Sequence, residues 1–143
     1  MVKNVREIWP EELPLFVRIS ATDWVDGGWT IDDSVALAKI LKTKGVDLID
    51  CSSGANTPDA KIPAKPNYQV PFAEEIKQKA EIATGAVGII ISAAQAEEII
   101  ATNKADLVLM AREMLRDPYF PLHAAKELGV DVEWPDQYKR AKR

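Results

Sequence analysis

One cysteine, one histidine and seven glycines in 143 residues leave several common chemistries without their parts. Cys51 alone excludes an internal disulfide and a cysteine metal cluster, and within its apolar run it reads as a packed small hydrophobe. His123, the only imidazole, falls in a helical stretch where a surface or packing role fits better than catalysis. No metal site is expected. Eighteen Lys and Arg against 22 Asp and Glu give a net charge of -4. The basic residues are dispersed except in the tail from Lys139 to Arg143, so no nucleic-acid stripe exists and the tail reads as a solvated end. With no signal-peptide pattern and no apolar run of membrane-spanning length, the cytoplasm is the expected address and no membrane partner is expected. Also missing is Gly-x-Gly-x-x-Gly after the first apolar run, where Ile19-Ser-Ala-Thr-Asp23 stands instead.

What remains is 47% hydrophobic and 28% charged, enough for one globular domain with a sizeable core. Apolar runs of strand length alternate with stretches of helical period, predicting strands over 15–20, 46–52, 86–91 and 105–110. Helices are expected over 31–44, from Pro71 onward, over 92–103 and over 117–128, with a piece of helix over 2–9. Ser92-Ala-Ala-Gln95 is a capping-box signal, and residues 113–116 could form one further helical turn. The strands are continuously apolar, which predicts a parallel sheet covered on both faces. Residues 1–143 then form a single unit: a helix remnant and linker over 1–14, four βα units over 15–129, and a tail over 130–143.

Four right-handed βα units admit a small doubly wound sheet or half of an eight-stranded barrel, and both gather function at the carboxyl ends of the strands. Arg18 interrupts an otherwise apolar strand, and a second apolar run finishes on Arg112. A guanidinium cannot be neutralised by losing its proton, so a partly buried one calls for an anion, and two such strand tips suggest one phosphate-bearing ligand. Ser52 and Gly88 fall near the same ends. The absent dinucleotide motif favours the barrel, in which phosphate is often held between the last two βα loops and a short helix. A structural pairing of Arg18 with a neighbouring carboxylate stays open, as does a packing role for Gly88. Asp47 and Asp50 read as strand-end or helix-contact groups. Trp9, Trp24, Trp29 and Trp134 are scattered as packing residues, with Trp24 and Trp29 flanking Asp26-Gly-Gly28 in the first βα loop.

Phe16-Val-Arg-Ile-Ser20, Gly45-Val-Asp-Leu-Ile-Asp-Cys-Ser-Ser-Gly54, Tyr68-Gln-Val-Pro-Phe72, Ala86-Val-Gly88 and Leu107-Val-Leu-Met-Ala-Arg-Glu-Met-Leu-Arg-Asp-Pro-Tyr119 together resemble the old yellow enzyme family. The closest resemblance is to its bacterial NADPH dehydrogenases and ene-reductases typified by thermophilic members. The resemblance implies an α/β fold that is a (βα)4 half of a TIM, or (β/α)8, barrel, carrying strands five to eight. It implies FMN as cofactor and NADPH as reductant in the full enzyme. Arg18 would lie beside the pyrimidine edge of the flavin and Ser52 would offer it a hydroxyl, while Gly88 and Arg112 would meet the phosphate. Ala111 stands where the family usually has Gly, which makes it the weakest of these contacts. The family's carbonyl-binding His pair or His-Asn pair and its proton-donating Tyr have no counterpart here, so no catalytic residue is assigned. The chain then reads as the FMN-phosphate half of an oxidoreductase, from a truncated gene, a split gene or an engineered piece, with little or no turnover of its own. The alternative is a non-enzymatic half-barrel scaffold that self-assembles. Expected partners are FMN or phosphate, a second copy of the chain, and a missing amino-terminal half. The tail segment Gln137-Tyr-Lys-Arg140 resembles one that reaches an Arg, here Arg140, into a neighbouring subunit.

Overall fold

A computed structural model describes residues 1–142. After a short helix α1 (Val2–Arg6), the strands β1 (Phe16–Ser20), β2 (Leu48–Ser52), β3 (Ala83–Ala86) and β4 (Leu107–Val108) alternate with helices α2 (Ile31–Lys42), α3 (Val70–Ala80) and α4 (Ala93–Ala101). Two further helices, α5 (Arg112–Arg116) and α6 (Phe120–Glu127), precede a 3-10 turn at Asp136–Ala141. The strands form one parallel sheet in the order β1-β2-β3-β4. Its register sets Phe16 beside Leu48, Leu48 beside Ala83, and Gly85 beside Leu107.

Local chemistry explains most of these limits. Thr30 accepts from the Asp33 backbone N–H while the Asp33 carboxylate accepts from the Thr30 N–H at 2.9 Å, a full capping box that starts α2. Gly45, at φ +80°, turns the chain toward β2. In α3 the residues Val70, Ala73, Ile76 and Ala80 recur at helical spacing and are all buried. Between the helices and one face of the sheet lie Ile49, Ile76 and Ile99, each fully buried, and each such burial stabilises by about 1.5–3 kcal/mol. At the amino end of the sheet Arg6 donates to the Gly45 carbonyl and pairs with Asp47 at 2.7 Å, tying α1 to the strands.

Four expectations need correction. The third strand occupies Ala83–Ala86 rather than 86–91, because Gly88 at φ +130° and Ile89 at φ +53° turn that apolar run into a loop. The fourth strand is only Leu107–Val108, and the last helix starts at Phe120 rather than at residue 117. The sheet is also not covered on both faces. Helices pack on Val17, Ile19, Ile49, Cys51 and Ala86, whereas alternation sends Phe16, Arg18, Asp50 and Leu107 to the other face. Leu48 and Leu109 fill the space over Gly85 on that face, yet Phe16 and Leu107 on the edge strands stay 51% and 44% exposed. Among the described residues no helix is long and apolar enough to cross a membrane.

Candidate functional site at the carboxyl ends of the strands

A cavity of about 390 Å³ opens beyond the carboxyl ends of the strands. Arg18, Ser52, Gly88, Ala111 and Arg112 all line it, so the five site residues expected from sequence come together in space. Arg140 does not; it lies in the tail turn, which folds back through a Tyr138–Tyr119 edge-to-face contact at 5.4 Å and a Lys142–Val132 carbonyl bond.

Arg18 reaches its position through a cross-strand layer. Its guanidinium pairs with Asp50, directly opposite on the neighbouring strand, at 3.3 Å and donates to the hydroxyl of Ser52, two residues further along that strand, at 3.0 Å. Arg18 is not the buried partner. Its side chain is 58% exposed against 12% for Asp50, so desolvation falls mainly on the carboxylate, and the need for a bound anion is partly met by the chain itself. Burial pushes the Asp50 carboxyl above its ordinary value, with Arg18 pulling in the opposite direction, and Asp50 Oδ1 has no partner. In the sequence alone a carboxylate partner for Arg18 stays open and Asp50 reads as a strand-end or helix-contact group; the strand register is what sets it opposite Arg18, on the face that helices do not cover.

The third loop contributes Gly88 to Ile91. A Cβ on Gly88 would meet the Gln69 backbone nitrogen and Tyr68 Cδ1, each at 3.2 Å, besides the strain of its positive φ, so glycine is demanded there by backbone and space together. The Gly88 carbonyl accepts from the Asn67 N–H at 2.9 Å. Gln69, almost fully buried, accepts from Ser53, which in turn accepts from the Trp24 indole at 3.0 Å. Trp24 also meets Phe72 edge-on and supports Gln69 through Ser53, whereas Trp29 donates to Ser34 in α2; neither tryptophan lines the cavity.

The fourth edge is α5. Arg112 opens it and, among the described residues, makes no ion pair; Arg116 pairs with Glu113 at 2.6 Å. Three guanidinium groups and one engaged carboxylate therefore face the space, which suits an anion. Ala111 sits at φ −104°, where any residue fits, so this backbone does not itself need the family's glycine. Tyr68 and Gln69 on the lining carried no sequence signal, because only the tertiary fold brings the amino end of α3 beside the third loop, whereas Arg116 lies in the short helical turn expected over 113–116.

Other chemistry-bearing residues stand apart. Cys51 is fully buried on the helix-facing side, where burial and then the Asp50 charge push its thiol up to about 12. His123 bonds Asp117 at 2.7 Å on the exposed surface. Among the described residues no three His, Cys, Asp or Glu side chains are grouped to hold a metal.

The model of the NADH:flavin oxidoreductase / NADH oxidase family matches residues 1–131. The chain is 52% identical over 141 residues to an NADPH dehydrogenase of Halalkalibacterium halodurans, covering 99% of itself and 41% of that protein. It is 56% identical over its full length to an NADPH dehydrogenase of a Geobacillus species, again covering 41% of the relative. The chain thus spans about two fifths of the length of these relatives.

Proposed function

Because the chain belongs to the NADH:flavin oxidoreductase / NADH oxidase family, we propose that its cavity holds the phosphate end of FMN and that it forms the carboxyl-terminal half, strands five to eight, of a bacterial NADPH dehydrogenase. The observation that carries this reading is the meeting of Arg18, Ser52, Gly88, Ala111 and Arg112 around one cation-rich cavity. When bound, FMN supplies a ring that accepts hydride from NADPH and releases it to an activated alkene. Arg112 is the countercharge to the phosphate, and Gly88 lets the main chain approach it. Arg18, held by Asp50 and Ser52, offers a fixed positive charge to the ring edge that gains electron density on reduction. Ser52 divides its hydroxyl between Arg18 and the cofactor, and Ala111 gives only a van der Waals wall.

In this reading the substrate-activating groups come from outside the chain, so NADPH and an enone should react with it no faster than with free FMN. The tail residue Arg140 is assigned to a contact with a neighbouring subunit. A second reading, a non-enzymatic half-barrel that self-assembles and binds phosphate, draws support from the uncovered sheet face at Phe16 and Leu107. Reconstitution separates the two. After incubation with FMN and gel filtration, flavin absorbance should elute with the protein; a colourless protein peak would contradict the cofactor reading and leave the scaffold.

A further inference from the structure

The sequence Ser92-Ala-Ala-Gln95 predicts a reciprocal capping box, and only one arm of it forms: Ser92 Oγ accepts from the Gln95 N–H at 3.2 Å. The Gln95 carboxamide is directed elsewhere. Its Oε1 accepts from the Ile91 N–H at 3.0 Å, and its Nε2 donates to the Ile89 carbonyl at 2.9 Å and to Asn67 Oδ1 at 2.6 Å. Asn67 closes the circuit by donating its own N–H to the Gly88 carbonyl. One partly buried side chain therefore fixes both ends of the loop Gly88–Ile91 and joins it to the segment before α3.

That loop has reason to need fixing. Ile89 is β-branched and sits at φ +53°, a conformation such residues rarely adopt and keep only where their surroundings over-determine it. Gly88 and Ile89 to Ile91 all line the cation-rich cavity. An ordinary helix cap would not require the carboxamide to leave the Ser92 backbone for three other partners.

We infer that Gln95 is a positioning residue for anion binding: its carboxamide holds the third loop in the left-handed conformation with which it faces the cavity, and so sets affinity for the phosphate group. This inference rests on the reading of the cavity as the FMN-phosphate site. It differs from that reading in assigning the affinity partly to a side chain that touches no ligand.

The test titrates FMN and riboflavin, which differ by the phosphate, into the wild-type chain and into Gln95→Met, with melting temperature measured alongside. Gln95→Met keeps the length and bulk and removes all three bonds. FMN affinity should fall about tenfold while riboflavin affinity is unchanged, the scale expected for losing one or two net hydrogen bonds that act on the phosphate loop. Ser92→Ala removes only the cap and should lower the melting temperature without changing the FMN-to-riboflavin ratio. Should Gln95→Met fail to fold, Asn67→Gly takes its place, since glycine suits the +64° backbone there and deletes one Gln95 partner; a smaller loss of the same kind is expected. A wild-type preference for FMN that survives these variants overturns the inference and leaves the phosphate reading standing. Equal affinity of the wild type for FMN and riboflavin overturns both.

Discussion

Asp50 and Cys51 are neighbours on β2 that point to opposite faces, and each gives a residue-scale prediction. The Cys51 thiol is buried among apolar residues and shifted to about 12, so almost no thiolate exists near neutrality. Native protein at pH 8 should resist alkylation by iodoacetamide and react fully once denatured, as mass spectrometry would record; rapid native alkylation would mean the helix-facing side of β2 opens readily. Asp50 behaves differently because burial raises its carboxyl more than Arg18 lowers it. A carboxyl raised in the folded state favours folding only while protonated. That contribution is complete in acid and lost as pH rises through the folded value. Asp50→Asn is neutral throughout, so its melting temperature should gain on the wild type as pH climbs from the carboxylate range to neutrality. A difference that shrinks over that interval would show the Arg18 attraction to be the stronger effect.

Among the elements, α2 is the clearest case of sequence chemistry setting a boundary. Thr30→Ala deletes the side-chain cap while leaving Asp33 in place, and should destabilise the fold by about 1 kcal/mol in urea denaturation. A change near zero would assign the start of α2 to packing alone. The strands β1 and β2 were readable because their apolar residues are large and stand next to turn signals. The third strand was not readable, for a physical reason. Its residues Ala83-Thr-Gly-Ala86 are small where Leu48 and Leu109 already fill the inner face, and a Cβ on Gly85 would collide with the Leu109 side chain. The bulky run after it resembles a strand more closely, yet Ile90 is buried within a loop. Arg18, Ser52, Gly88 and Arg112 could be grouped from sequence because parallel strands present their carboxyl ends together. The role of Gln95 could not, since the capping motif predicts a local partner and the long-range one with Asn67 exists only in the folded chain.

At the scale of the whole molecule the sheet has two open edges, β1 and β4, and an inner face that helices do not cover. Exposed apolar surface there forgoes about 25 cal/mol for each Å² left in water, and the free strand edges invite pairing. We propose that two copies meet with the β1 of each against the β4 of the other, an isologous arrangement that answers both problems. Sedimentation should find a dimer for the full chain and for a chain truncated after Pro135. A stable monomer would refute the association, and a dimer lost on truncation would assign it to the tail that carries Arg140.

In the proposed reading the cavity at the strand ends recognises the phosphate of FMN through Arg112. The most direct test is isothermal titration of FMN and riboflavin into the wild type and Arg112→Ala. We predict that the wild type binds FMN more tightly than riboflavin and that the substitution removes this preference while leaving riboflavin binding unchanged. Equal affinities in the wild type, or a preference for FMN that survives the loss of Arg112, would contradict the account.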